Sequence, residues 1–374
     1  MLKKKLAGAL VASMALAMVV TIAPTATAAV KAANVAAVGD DCVKAGRVAK
    51  GRGVEGSDLT CLVVTTGSLK GKLKWWYKEV TPLTKLEWVA SSGVGGGYGT
   101  TAIAFADAMK AEGMLSEYTV SYKSGGSGVV GLGYFLDQKD RKDVAFITGF
   151  AMLSGIAANK SKLKHEDAKA ISGLMREWEA IVVPTSSKYK TINQLLDDIK
   201  ANPKLPIAGG SKATVDHVFM GLVLEKVGLK ASEMNYVPYS GDGEVITAVL
   251  GGQFAAGVSG ASQFAPYVKA GKMRVLALSS PKRLKSIKGS TLIDQGINFS
   301  MGNWRGIMAP SSLTEAERIN WIKVVDVTRA GDSWKATLAA KDWTNQTDTG
   351  KSWESFLATQ KKEITATLVT LGLA

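Results

Sequence analysis

Residues 209–260, GGSKATVDHVFMGLVLEKVGLKASEMNYVPYSGDGEVITAVLGGQFAAGVSG, constrain the fold more tightly than any other stretch. A small-residue turn opens into a helix, a short strand ends in VPYSGDG, and a second helix closes on Gly251-Gly252 before another strand. Alternation of this kind asks for a mostly parallel sheet flanked by helices. A turn that opens straight into a helix also leaves the first backbone N–H groups unpaired and aimed at one point. That makes an anion site without any arginine. Two such turns close together suggest a cradle for a carboxylate.

The same alternation begins near Leu86. LEWVASSG reads as a strand, GVGGGYG as a loop, and TTAIAFADAMKAEG as a helix with Thr100 or Thr101 near its N-cap. YTVSYKSGG and VAFITG are further strands, and ISGLMREWEAIVVPTSS holds a long apolar one ending at Pro184. The helix INQLLDDIKAN opens a second α/β stretch, WRGIMAP returns the chain to the first, and the C-terminal segment reads as helices.

Three blocks, VPYSGDGEVITAVLGGQ (237–253), YVKAGKMRVLALSSPKR (267–283) and NWRGIMAP (303–310), resemble in order and spacing the substrate-binding receptors of tripartite tricarboxylate transporters. The resemblance runs from Leu86 to the C-terminus. It implies an α/β, two-lobed, periplasmic-binding-protein-like (Venus flytrap) fold whose crossing strands join the lobes. It also implies a small organic acid held between them, delivery to membrane transporter subunits, and no catalysis, cofactor or metal. Lobe 1 is expected over 86–184 and 304–374 and lobe 2 over 185–303, with hinges near Val183–Ser186 and Gly302–Arg305. A monomer is expected. An extracytoplasmic ligand sensor, or a wall-associated binding protein, on the same fold is the alternative.

Ligands of open α/β sheets sit beyond the carboxyl ends of the strands, and four loops qualify. The first holds Ser92, Gly93, Gly95, Gly96, Gly97, Tyr98 and Thr100; Tyr98 and Gly99 stand where the family's pattern has threonine and aspartate. Lys123 to Gly128, with Ser127, is the second, and Thr148 ends the VAFITG strand. The third, Ala208 to Thr214, carries Ser211 and Thr214, one turn before His217, which reads more readily as packing than as a ligand contact. Tyr239, Ser240, Gly241 and Asp242 form the fourth. Asp242 is either the N-cap of the following helix or, with Glu244, a partner for an amine. Hydroxyls and backbone N–H groups would hold the carboxylate, and Lys123 and Lys212 would add charge. An aromatic ring on the ligand could meet Tyr98, Tyr239 or Trp304. The two acids oppose a polyanion, so a mono- or dicarboxylate is expected.

Lys3, Lys4 and Lys5, the apolar run Leu6 to Ile22 and the small residues Ala26-Thr27-Ala28 form the three parts of a secretory signal peptide over 1–29, cleaved near Ala28. No cysteine stands directly after that site, so the chain is not expected to be a lipoprotein. Lys and Arg number 46 against 32 Asp and Glu, a formal net charge of +14 that suits anionic ligands or surfaces. No nucleic-acid motif appears. Cys42 and Cys61 are the only cysteines; in a secreted chain an even count reads as a disulfide, worth roughly 3 kcal/mol for such a loop. It would staple a small, basic β module over 30–85. Its lysines would suit an anionic cell wall, and a solvated spacer remains the other reading.

Overall fold

The computed structural model describes residues 36–374; the signal-peptide reading lies outside the described residues. Three short strands, β1 (Val48–Ala49), β2 (Leu59–Val63) and β3 (Leu73–Trp76), form an antiparallel sheet. Cys42 and Cys61 are joined across it by a disulfide with Cα atoms 5.8 Å apart. This module is not a spacer. Leu59 and Tyr77 pack in the same apolar cluster as Trp88 and Phe105 of the α/β body. Buried Glu112 accepts hydrogen bonds from the N–H and hydroxyl of Ser68, both at 2.9 Å, and the Tyr77 hydroxyl donates to Asp326 at 2.8 Å.

The body alternates strands and helices: β4 (Leu83–Ala90), α1 (Gly97–Ala111), β5 (Leu115–Tyr122), α2 (Val129–Leu136), β6 (Val144–Gly149) and α3 (Phe150–Ala158). Then come β7 (Lys169–Pro184), α4 (Ile192–Ala201), β8 (Pro206–Gly209), α5 (Val215–Lys226), β9 (Asn235–Pro238), α6 (Asp242–Leu250), β10 (Ala256–Gly260), α7 (Ala261–Lys269) and β11 (Met273–Leu278). The chain ends with β12 (Gly302–Ala309), α8 (Glu315–Ala330), α9 (Asp332–Lys341), β13 (Thr344–Asn345) and α10 (Gly350–Thr370). Thr191 and Thr314 start α4 and α8 with reciprocal capping boxes to Gln194 and Glu317, so those helices begin where side chains can satisfy the orphan N–H groups.

One strand holds the two lobes together. Residues 169–178 of β7 pair antiparallel with β12, beside the parallel set β5-β4-β6. Beyond Trp178 the same strand changes partners: Ala180 to Pro184 pair with β10 and β11, next to the parallel set β10-β8-β9. A strand that lies in the middle of both sheets must be apolar on both faces, and ISGLMREWEAIVV is buried almost throughout. The fold is the two-lobed periplasmic-binding-protein-like α/β architecture implied by the resemblance. β7 changes partners at Trp178–Ala180, earlier in the chain than the expected hinge at Val183–Ser186.

Candidate functional site

The cleft between the lobes is a cavity of about 160 Å³. Lobe-1 loops after β4 and β5 meet lobe-2 loops after β8 and β9 there. Ser92, Gly96, Gly97, Tyr98, Ser127, Ser211, Thr214, Ser240, Gly241 and Asp242 line it. Gly93 lies beside the Ser240 carbonyl outside the lining, and Gly95 turns the loop at φ +79°. Thr100 faces the opposite groove, between α1 and α9, and Thr148 is wholly buried. Tyr239 lines a neighbouring cavity and packs edge-on against Phe254. Trp304 is also buried, donating to Gln360 and packed edge-on against Trp353 and Phe356, so it offers no ring to the cleft.

Helix α1 starts at Gly97, with Gly96 as N-cap, rather than at Thr100 or Thr101. The Thr101 hydroxyl instead donates back to the Gly97 carbonyl at 2.9 Å. Glycine is required here by close approach: a Cβ on Gly97 would lie 2.2 Å from Nη2 of Arg305. The first N–H groups of α1 therefore open onto the cleft next to a guanidinium. Tyr98 is not an exposed lip residue. It is buried, its hydroxyl accepts the Met152 N–H at 3.0 Å, and burial pushes its pKa up to about 12. The Ser92 hydroxyl is buried without a hydrogen-bond partner among the described residues.

Arg305 was overlooked by the sequence reading, although a lone arginine inside the apolar run NWRGIMAP is a visible signal. It is 6% exposed. Its Nη1 donates to Glu177 at 2.8 Å and to Thr101 at 3.2 Å. No described acceptor takes a hydrogen bond from Nε or Nη2, and the residue lines the cleft. Glu177 and Glu179 gave the same kind of signal as charges within the apolar strand GLMREWEAIVV. Asp216, in the first turn of α5, also lines the cleft and accepts the Gly210 N–H at 2.7 Å. Burial first, then the nearby charge of Asp242, pushes its pKa up to about 7.

Other charges lie elsewhere than expected. Asp242 is the first residue of α6 rather than its cap; Gly241 is the N-cap, and the Asp242 carboxylate accepts the Ser259 hydroxyl at 2.5 Å. Burial raises the Asp242 pKa. Glu244 accepts the Ser240 N–H at 2.8 Å and so is engaged at the start of α6. Lys123 sits over the Tyr134 ring, 4.2 Å from its centroid, and Lys212 is exposed. His217 is buried, stacked on Tyr236 at 3.9 Å, and its Nδ1 accepts the Ala213 N–H. Burial lowers its pKa to about 4, so it is neutral and structural. Two bonds cross the cleft: the Ser127 hydroxyl donates to the Lys212 carbonyl at 2.6 Å, and the Ser154 hydroxyl to the Ala213 carbonyl.

Residues 159–330 match the family model described as tripartite tricarboxylate transporter family receptor. This segment of the chain is similar to that receptor family. The chain is 29% identical over 201 residues to the UPF0065 protein in the gbd 5' region of Cupriavidus necator, a match over 52% of this chain and 59% of that relative. A second curated relative, from Pseudomonas sp. strain P51, is 25% identical over 146 residues and is covered over 43% of its length. The chain thus matches less than two thirds of the length of these curated relatives. Among solved structures, an adipate-bound protein of R. palustris superposes with a TM-score of 0.69 at 18% identity, covering 78% of this chain and 98% of that one. The malate-bound MatC of Rhodopseudomonas palustris gives 0.66 at 15% identity over 78% and 100%. A ligand-free TctC solute-binding protein from Polaromonas gives 0.57 at 22% over 78% and 99%. At these identities the likeness establishes the fold.

Proposed function

We propose that this protein is an extracytoplasmic receptor that closes its two lobes around a small organic acid and hands it to a membrane transporter. Arg305 carries the reading: its outer guanidinium edge meets the N-terminus of α1 at the cleft, where two independent sources of positive potential converge. A ligand carboxylate lies there, assisted by the Ser92 hydroxyl and, from the other lobe, by Ser211, Thr214 or Ser240. The adipate- and malate-bound neighbours support the ligand class. Lobe 1 in this reading ends at Trp178 and resumes at Gly302, with lobe 2 between. The reading needs binding and release only, with no chemical step. Among the described residues no helix is long and apolar enough to cross a membrane, and the signal peptide read from the sequence would carry the chain out of the cytoplasm.

A thermal-shift and calorimetry screen of mono- and dicarboxylic acids tests this. Mass action requires a bound acid to raise the Tm. Arg305→Gln is expected to weaken that acid by about 1.5–3 kcal/mol, the scale of a hydrogen bond to a charged group. No stabilising acid at millimolar concentration would sink the proposal.

A further inference from the structure

The charge inventory of the cleft does not balance around a simple acid. Four carboxyl groups, Glu177, Glu179, Asp216 and Asp242, surround one guanidinium, Arg305, and Arg305 is already paired with Glu177. Asp216 and Asp242 line the cavity on the lobe-2 side, where α5 and α6 begin. Neither forms an ion pair among the described residues, although the charge of Arg305 acts on Asp242 from a distance. Among the described residues, Asp216 is held by the Gly210 N–H and by a hydrogen bond shared with Glu179, and Asp242 by the Ser259 hydroxyl and its own main chain. Behind them stands Glu179, 0% exposed, whose two carboxylate oxygens accept no N–H or hydroxyl among the described residues and whose one hydrogen-bonding neighbour there is the carboxyl of Asp216. The neighbouring charge that acts on it most is Asp216.

Two wholly or nearly buried carboxyl groups side by side are expensive to ionise together, and burial, then the charge of Asp216, raises the Glu179 pKa well above the ordinary carboxylate range. A bound cation nearby would remove much of that penalty. The cleft is polarised as well. Lobe 1 presents Arg305 and the α1 N-terminus, which has no acidic residue in its first turn. Lobe 2 presents helices whose first turns already carry Asp216 and Asp242.

We propose that the ligand carries a cationic amine as well as a carboxylate, with the carboxylate on Arg305 and the α1 N-terminus and the amine against Asp216 and Asp242, backed by Glu179. This rests on the receptor reading above and deepens it. An ammonium brings three donors, enough for both aspartates and a main-chain carbonyl. Because its two charges lie on opposite lobes, the ligand itself ties the lobes together. A second carboxylate in place of the amine would meet like charge, which costs several kcal/mol.

Calorimetry at about pH 8 tests the proposal with matched pairs that differ only in the amine: aspartate against succinate, glutamate against glutarate, β-alanine against propanoate. At least one amine-bearing member should bind about tenfold or more tightly than its partner. That preference should fall by a similar factor in Asp216→Asn and Asp242→Asn, with the Tm recorded to show that each variant is folded. If either variant fails to fold, the matched pairs on the parent protein still decide. Des-amino acids binding as tightly as their partners would overturn the amine site and leave the receptor reading standing. So would a succinate affinity that climbs as pH falls, since protons would then be filling the cluster. Binding by neither member of any pair would overturn both readings.

Discussion

At the scale of single residues, the cleft is governed by carboxyl groups held out of water. The folded protein keeps a proton on Asp216 up to about pH 7, while the unfolded chain releases it near 3.8. Between those values the native state binds more protons, so this group's contribution to stability falls as pH rises and is gone above about 7. The groups facing it are Glu177 and Glu179 from β7, Tyr236 from β9 and Asp242 from α6, with neutral His217 beside it in α5. The Gly210 N–H and a hydrogen bond shared with Glu179 oppose the trend without reversing it. Asp216→Asn should therefore stabilise the ligand-free protein above pH 7, by an amount of order a few kcal/mol, and leave it nearly unchanged near pH 4. Chemical denaturation across that pH range would show it; a variant less stable than the parent at about pH 8 would contradict the account.

Among elements, the N-terminal sheet bears most on how the chain holds together. Its Leu59 and Tyr77 sit in the core cluster of lobe 1, and Glu55 accepts the Lys351 N–H at 2.9 Å near the start of α10. Glu112, at the end of α1, receives Ser68 on one side and the Ser333 N–H on the other. A staple in such a module acts on the body as well. Replacing both Cys42 and Cys61 by serine should destabilise the protein by roughly 3 kcal/mol. The loss should appear as one lowered transition covering tryptophans of both parts, for instance Trp76 in β3 and Trp88 in β4. An early separate transition of the module alone would show that it is energetically independent.

For the whole molecule, the proposed receptor role makes motion about the β7 crossover the functional coordinate, as in hinge-closing receptors generally. The cleft rim is joined by Ser127 to Lys212 and by Ser154 to Ala213. Ser127 and Ala213 hold left-handed backbone at φ +54° and +61°, conformations that non-glycine residues adopt at some cost. Each forms part of a bond that exists only when the lobes meet. Removing both hydroxyls, in Ser127→Ala with Ser154→Ala, should favour the open form. Small-angle scattering should then give a larger radius of gyration without ligand and contraction on adding it, and Kd should rise by about tenfold or less. An unchanged radius in the double variant would mean that these bonds do not bias closure.

What was legible in the sequence is local or periodic. Apolar runs bounded by turns, helix-opening glycines and the Cys42–Cys61 count marked the α/β alternation, the loops at the strand ends and the disulfide. Ser92, Ser127, Ser211 and Ser240 were visible as turn residues, and they do meet in one cleft. The start of α1 was misjudged by a turn, because Gly97 is helical only where the absence of a Cβ admits Arg305. Charge was the harder quantity. Lys123 and Lys212 were natural candidates in the sequence, yet one covers Tyr134 and the other faces solvent. Asp216, Glu177, Glu179 and Arg305 come from three elements far apart in the chain, and only packing carries them out of water into one site. A carboxyl group's behaviour depends on its desolvation and its neighbours, both properties of the folded interior. Sequence pattern determined what kind of molecule this is; the charges its cleft would have to satisfy were decided only when β7, α5, α6 and β12 came together.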